Sequence, residues 1–282
     1  MRLILRELRI EHTLFALPFA YVGAVLAARG LPTFHQVLWI TLAVAGARTA
    51  AMAANRYFDR HIDAQNPRTA RRALPAGTLA PAVMLVTALA GLALLVVAAF
   101  QLNPLCVALL PVAALGVAVY PLCKRFTWGT HFVLGAVDGF APLGAYIAVA
   151  GTIAPPALLL FAAVTIWVAG FDIIYALMDR DVDLAQNIRS IPARFGEASG
   201  RFVPIALHIA MAALLAVAGR LALVGPLYYA GIALAVGLVW YEDRLFGFSK
   251  NIFVLNEKVF VSNMIFSVAF LATTLGGFLW HA

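Results

Sequence analysis

The chain has 282 residues, of which 63% are hydrophobic and 12% are charged, and its mean hydropathy is +0.93. A soluble domain is about half apolar and about a quarter charged, so this composition excludes an ordinary water-soluble enzyme or binding module. The net charge of +7 is spread over the loops between apolar runs. Such a distribution favours contact with anionic lipid headgroups over a nucleic-acid partner.

Nine apolar runs follow one another along the chain. Each has about 20 residues, the length that an α-helix needs to cross a hydrocarbon core about 30 Å thick. We therefore predict an all-α, nine-span membrane bundle that forms one integral domain over residues 1–282. The runs lie at 13–30, 36–55, 81–100, 103–120, 130–150, 156–178, 202–222, 225–241 and 259–280.

The basic residues predict the orientation of this bundle. If the N-terminus is cytoplasmic, every Lys and Arg except Arg29, Arg48 and Arg220 falls on the cytoplasmic side. That distribution follows the positive-inside rule. The cytoplasmic set is Arg2, Arg6, Arg9, Arg56, Arg60, Arg68, Arg71, Arg72, Lys124, Arg125, Arg180, Arg189, Arg194, Arg201, Arg244, Lys250 and Lys258.

The second run ends in an acid-rich motif, NRYFDRHID at 55–63. Asn55, Asp59 and Asp63 are four residues apart, so on a helix they share one face. Their oxygen ligands suit a hard cation such as Mg²⁺, which proteins often bind through a few carboxylates together with substrate phosphates. The motif therefore predicts a metal site for a phosphorylated substrate. The alternative is an interfacial helix end whose acids pair with Arg56, Arg60 and other basic neighbours.

The sixth run ends in a second acidic motif, DIIYALMDRDVD at 172–183. Asp179 and Asp183 repeat the four-residue spacing, and Asp172 is predicted on nearly the same face but deeper. Both motifs fall on the predicted cytoplasmic side, on helices that we expect to face one another. Like charges on facing helices repel unless a cation lies between them, so the two motifs together predict a shared Mg²⁺ site. An ion-paired helix end is again the alternative.

Basic residues beside the motifs are candidate phosphate ligands. Arg68, Arg71 and Arg72 follow the first motif, and Lys124 and Arg125 end the sequence YPLCKR. Arginine can hold phosphate oxygens through two hydrogen bonds, and lysine supplies a point charge. The alternative for each is a topological anchor that obeys the positive-inside rule.

Arg48 lies seven residues before Asn55, on the same helical face and two turns deeper. A charged side chain inside a membrane needs a partner. The candidates are Asp138, Asp172 and the carboxylate of a bound substrate.

Both motifs resemble those of the UbiA superfamily of intramembrane aromatic prenyltransferases. The NxxxDxxxD motif of that family is similar to residues 55–63, and its DxxxD motif is similar to 179–183. The wider 172–183 pattern, YPxxKR and Arg48 resemble the 4-hydroxybenzoate polyprenyltransferase branch. Asp138 departs from the pattern, because a small or apolar residue is expected there.

Three further strings are similar to the MqnP-like group of the family, which is linked to menaquinone synthesis by the futalosine route. They are EHTLFALPFA (11–20), GARTAAMAANRYFDRHIDAQNPRTARRALPAG (46–77) and RSIPARFG (189–196).

The resemblance implies a nine-helix UbiA-type bundle, and it implies Mg²⁺-dependent transfer of a polyprenyl group from polyprenyl diphosphate. The acceptor would be an aromatic acid of the 4-hydroxybenzoate or dihydroxynaphthoate type, in ubiquinone or menaquinone biosynthesis. The enzyme would lie in the bacterial inner (plasma) membrane with its site facing the cytoplasm. The alternatives are a transporter, because intramembrane charges also mark ion pathways, and a UbiA-type enzyme with another acceptor.

The resemblance also implies a role for each candidate residue. Two Mg²⁺ ions would be held by Asn55 and the catalytic carboxylates of Asp59, Asp63, Asp179 and Asp183. The diphosphate would be bound by Arg68, Arg72, Lys124 and Arg125. The acceptor and the allylic cation would lie near Arg48, Asp172, Tyr175 and Tyr120.

Overall fold

The computed structural model describes residues 2–8, 11–248 and 251–279, which leaves the predicted cytoplasmic residues Arg9 and Lys250 outside the described residues. The described part is helical and contains no β-strand. A 3₁₀ turn, Leu177–Asp179, lies between two of the helices. The helices are α1 (Arg2–Leu8), α2 (Glu11–Ala28), α3 (Phe34–Gln65), α4 (Pro81–Leu102), α5 (Pro104–Ala108), α6 (Leu110–Cys123), α7 (Thr130–Ala150), α8 (Pro155–Ala176), α9 (Arg180–Ala185), α10 (Ile191–Phe195), α11 (Ser199–Leu221), α12 (Pro226–Phe248) and α13 (Ile252–Leu279).

Within the described residues, six segments are long and apolar enough to cross a membrane. Each of the nine predicted runs overlaps a helix, and the all-α membrane architecture is confirmed. The count of nine and the cytoplasmic N-terminus stay predictions. The six segments are Phe34–Gln65, Pro81–Leu102, Thr130–Ala150, Pro155–Ala185, Ser199–Leu221 and Ile252–Leu279, and two shorter apolar helices are Ala16–Ala28 and Leu110–Cys123.

Helix α3 carries the first acidic motif to one end of the bundle. Its N-cap is Thr33, whose side chain accepts a hydrogen bond from the backbone N–H of Gln36 in a capping box. At a rise of 1.5 Å per residue, Asn55 lies about 33 Å along the axis from Thr33. That distance equals the thickness of a hydrocarbon core, so the last turns of α3 place the motif at the opposite interface.

Close packing of α3 against α4 depends on two glycines. A Cβ atom on Gly91 would lie 2.6 Å from the backbone nitrogen of Ala50, and one on Gly46 would lie 2.7 Å from the carbonyl oxygen of Gly91. Small residues let membrane helices approach until their backbones touch, which increases dispersion contacts where lipid removes the hydrophobic driving force. These two glycines therefore fix the position of α3, and with it the first motif.

The second motif does not form one continuous α-helix, contrary to the predicted single face over 172–183. Helix α8 ends at Ala176, and the chain tightens into the 3₁₀ turn before α9 begins at Arg180. The Leu177 side chain packs against Gly200 of α11, so closely that a Cβ atom on Gly200 would lie only 2.5 Å from it. Because a 3₁₀ turn has three residues per turn, Asp179 and Asp183 are rotated relative to Asp172.

Candidate active site

Both acidic motifs line one polar chamber between α3, α6, α7 and α8. The predicted facing of the two motifs is therefore present in the structure. Arg48 and Arg125 are the predicted site residues that do not line this chamber. The predicted residues that do are Asn55, Asp59, Asp63, Arg68, Arg72, Tyr120, Lys124, Asp172, Tyr175, Asp179 and Asp183.

Two carboxylates of the first motif are paired with bases from other segments. Lys124 Nζ donates to Asp59 Oδ2 at 2.5 Å, and Arg72 Nη1 donates to Asp63 Oδ2 at 2.8 Å. Asp59 is buried, and Arg125 lies 3.9 Å from its other oxygen while donating to the carbonyl oxygen of Phe58. These pairs neutralise the motif without any ligand.

The second motif is paired in the same way. Arg68 donates from Nε to Asp179 Oδ1 at 2.9 Å and from Nη2 to Oδ2 of the same carboxylate. Burial lowers the pKa of Arg68, but its hydrogen bonds to Asp179 and the attraction of the acids raise that pKa by more, so Arg68 stays charged. Asp183 instead accepts a hydrogen bond from the Ser190 hydroxyl at 2.9 Å.

The side chains of the chamber include the ligand types that a divalent cation needs, although three of the carboxylates are paired with basic residues. Within the described residues, no three acidic, histidine or cysteine side chains are grouped closely enough to form a metal site. Asp59 Oδ1, however, is buried without a hydrogen-bond partner. The available donors, an amide and four carboxylates, are the oxygen ligands that Mg²⁺ and similar hard cations take. The residues therefore fit a divalent metal once the bases release their acids.

Arg48 pairs with Asp138, one of the three predicted candidates, at 3.0 Å. Both residues line a second chamber, which is almost entirely apolar and lies deeper between α3, α4, α6 and α7. Tyr120 lines the polar chamber, and its hydroxyl donates to the carbonyl oxygen of Ala51, which lines the apolar chamber, at 3.1 Å. Asp138 thus supplies the counter-charge for Arg48, which explains the departure from the family pattern.

Residues 16–251 match the UbiA prenyltransferase family. The chain belongs to this family. It is 34% identical over 229 residues, 80% of each chain, to the 4-hydroxybenzoate octaprenyltransferase of Vibrio cholerae serotype O1. These matches confirm the predicted family and make the chain a prenyltransferase, while the MqnP-like subgroup stays a prediction.

Solved structures of UbiA homologues share its fold. The apo structure of a UbiA homologue from Aeropyrum pernix K1 has a TM-score of 0.82 and 32% identity, covering 96% of this chain and 98% of that one. A homologue from Archaeoglobus fulgidus bound to DMAPP and Mg²⁺ has a TM-score of 0.72, covering 96% and 98%. Its 16% identity supports the shared fold alone.

Sequence reasoning missed several polar residues of this UbiA-family prenyltransferase. Asn66 caps the end of α3 and donates to Asp179 Oδ1 at 2.8 Å, so it joins the two motifs directly. Ser190 and His131 bind Asp183 and Asp172. The spacing of acids and bases does not indicate these residues. For Asn66, the available signal is its position three residues after the first motif and directly before Pro67.

The N-terminal helix of the prenyltransferase also reaches the site. Glu7 is buried, accepts a hydrogen bond from the backbone N–H of Ala73 at 2.8 Å, and lies 3.5 Å from Arg56. Arg56 in turn lies 3.8 Å from Asp63. The predicted alternative partner Arg60 instead donates to the carbonyl oxygen of Tyr57 and stacks on its ring. Helix α1 therefore packs over the loop that carries the candidate diphosphate ligands.

Proposed function

We propose that this prenyltransferase transfers a polyprenyl group from a polyprenyl diphosphate to a hydroxylated aromatic acid of the 4-hydroxybenzoate or dihydroxynaphthoate type. The observation that carries the proposal is the pairing of Lys124, Arg72 and Arg68 with three motif carboxylates in one chamber. A diphosphate with its metal ions has the matching charges, because phosphate oxygens can take the bases while the cations take the acids. The name of the Vibrio cholerae relative supports the benzoate-type acceptor.

Asn55, Asp59, Asp63, Asp179 and Asp183 would hold the Mg²⁺ ions. Bound there, the metal supplies positive charge that neutralises the departing diphosphate. Arg68, Arg72 and Lys124 are freed from their acids and hydrogen-bond the phosphate oxygens, with Arg125 at the rim. These preorganised donors stabilise negative charge as the allylic C–O bond breaks.

The deeper chamber suits the prenyl chain. Its walls are apolar, with residues such as Ile40, Val44, Leu95 and Val117. Because the prenyl chain enters from lipid, dispersion contacts with these walls would hold it there. The π faces of Tyr120 and Tyr175, at the wall of the polar chamber, would stabilise the allylic cation. Arg48, balanced by Asp138 at the wall of the apolar chamber, would receive the carboxylate of the acceptor.

The same proposal covers the setting of the enzyme. The chain would form one domain of nine spans in the bacterial inner membrane, with its N-terminus and polar chamber on the cytoplasmic side. The basic loops support this orientation through the positive-inside rule. The strings similar to the MqnP-like group favour a dihydroxynaphthoate-type acceptor and menaquinone synthesis, whereas the relatives named 4-hydroxybenzoate octaprenyltransferase favour ubiquinone synthesis.

Purified membranes that contain the enzyme test the proposal. They are incubated with Mg²⁺ and a polyprenyl diphosphate, with 4-hydroxybenzoate and dihydroxynaphthoate offered in parallel, and products are identified by mass. Asp59→Ala and Asp183→Ala should abolish transfer while the protein still inserts. Asp181→Ala is the matched control, because Asp181 lies in the same motif with its side chain 96% exposed. Turnover near wild type in either of the first two variants would refute the metal assignment, and failure of both acceptors would refute the proposed substrate class.

A further inference from the structure

His131 and Asp172 form a hydrogen-bonded dyad at the wall of the polar chamber. His131 lies in the first turn of α7, is 2% exposed, and its Nδ1 lies 2.6 Å from Asp172 Oδ2. The backbone N–H of Ile191 donates to His131 Nε2 at 3.1 Å. Because Nε2 accepts this hydrogen bond, the ring proton is on Nδ1, and the neutral imidazole donates to Asp172.

Asp172 differs in its surroundings from the other acids of the chamber. Asp59, Asp63 and Asp179 are each bound to a lysine or an arginine. A neighbouring cation stabilises the ionised carboxylate and makes it a poor proton acceptor. Asp172 is bound by a neutral ring, and among the described residues His131 is its one hydrogen-bond partner.

Asp183 is also bound by a neutral donor, the Ser190 hydroxyl, but it is buried. The Asp172 side chain is 30% exposed to the chamber. With Oδ2 held by His131, the other oxygen is available to a molecule in the chamber. The dyad therefore presents an oriented carboxylate to the space where the acceptor is proposed to bind.

We propose that Asp172, oriented by His131, is the base that removes the ring proton of the aromatic acceptor; this inference rests on the proposed function. The allylic C–O bond breaks, and the diphosphate leaves with the electron pair. A ring carbon beside the hydroxyl group then forms the new C–C bond to the allylic carbon. The Asp172 carboxylate takes the proton from that ring carbon, and the C–H electrons restore the aromatic ring. Asp172 is a catalytic residue in this step, and His131 is a positioning residue.

Asp172→Asn tests the step because it keeps the shape of the side chain and removes its basicity. The rate of turnover should fall by about 10²- to 10⁴-fold, the usual contribution of a general base. An acceptor deuterated at the reacting ring carbon should show a larger isotope effect on kcat in this variant than in the wild-type enzyme, because proton removal becomes rate-limiting.

A second measurement separates bond breaking from proton removal. With ¹⁸O in the bridging position of the prenyl diphosphate, ionisation followed by return moves the label to non-bridging oxygens. This exchange should continue in Asp172→Asn at a rate near wild type, which also shows that the variant is folded. Loss of exchange together with turnover would overturn the proposal, because Asp172 would then act in binding or ionisation. A lower kcat without a larger isotope effect would overturn it too, since the proton would then leave to another acceptor, such as the diphosphate.

Two variants of His131 distinguish positioning of Asp172 from anchoring of the Ile191 segment. The amide nitrogen of Asn superposes on Nδ1, so His131→Asn keeps the donor to Asp172 and loses the contact with Ile191. His131→Gln places its amide near Nε2, so it keeps an acceptor for Ile191 and loses the donor. We expect kcat and the isotope effect near wild type in His131→Asn, and a lower kcat with a larger isotope effect in His131→Gln. The reverse pattern would overturn the positioning role. If the wild-type enzyme prenylates no hydroxylated aromatic acid, the proposed function fails first, and this inference fails with it.

Discussion

The Lys124→Gln variant tests separately how the ion pair between Lys124 and Asp59 affects binding of the metal ion and binding of the diphosphate. Lys124 Nζ lies 2.5 Å from Asp59 Oδ2. At an effective dielectric constant of about 20, opposite unit charges at this distance attract by roughly 7 kcal/mol. Desolvation and lost side-chain entropy offset most of this, which leaves about 1.5–3 kcal/mol for a hydrogen bond between charged groups. A cation that binds Asp59 must displace Lys124 and so gives up this energy.

The variant should therefore change two affinities in opposite directions. Without diphosphate, Mg²⁺ should bind Lys124→Gln about 10- to 100-fold more tightly than wild type, because nothing is displaced. Polyprenyl diphosphate should bind more weakly by a similar factor, because it loses a cationic donor. Both affinities can be measured on purified protein in detergent by calorimetry and by the shift of Tm with ligand concentration.

The control for Lys124→Gln is Arg201→Gln, which removes a basic residue whose partner Asp243 is on another surface. Neither affinity should change in that control. Weaker binding of Mg²⁺ alone to Lys124→Gln would refute the reasoning, because it would show that Lys124 supports the metal site and does not compete with it.

Two other predictions concern stability in detergent, measured by thermal or denaturant unfolding. Gly91→Ala should lower the free energy of unfolding by about 1–3 kcal/mol, because the new Cβ lies 2.6 Å from the backbone of Ala50. Gly237→Ala is the control and should not lower it, because the space at its Cβ is open. Equal effects of the two substitutions would refute the close packing of α3 on α4. Asp138→Asn should lower the free energy of unfolding by up to about 3 kcal/mol, because it leaves the largely buried Arg48 without its counter-charge. Replacing both residues by apolar ones should restore stability, and an unchanged single variant would contradict the ion pair.

The two acidic motifs and their position at one end of the bundle can be predicted from the sequence. The ion-pair partners of the charged residues are harder to predict. Spacing placed Asp59 and Asp63 on one helical face, and topology placed both motifs at one end of the bundle. Those inferences use only local geometry and the distribution of charge. The sequence leaves three candidates for the partner of Arg48, because the choice of Asp138 depends on how α7 packs against α3.

Other features could not be read from local patterns. The 3₁₀ turn Leu177–Asp179 packs through Leu177 against Gly200 of α11, a contact between residues far apart in the sequence. His131 and Ser190 lie outside both acidic motifs. Their roles arise because the start of α10 lies beside both the first turn of α7 and the second motif.

The pairing of acids with bases in the chamber explains how such a site can exist at the edge of a membrane. Unpaired carboxylates would repel one another across the two motifs, and unpaired bases would repel one another in the loops. Lys124, Arg72 and Arg68 each reach an acid on another segment, so the site is nearly neutral without ligands. A metal ion that binds alone must displace the bases from the carboxylates. A diphosphate that binds alone takes the bases and leaves the carboxylates without their counter-charges. Together, each ligand binds the groups that the other releases, so metal and diphosphate should bind with positive cooperativity, by an amount set by these three ion pairs.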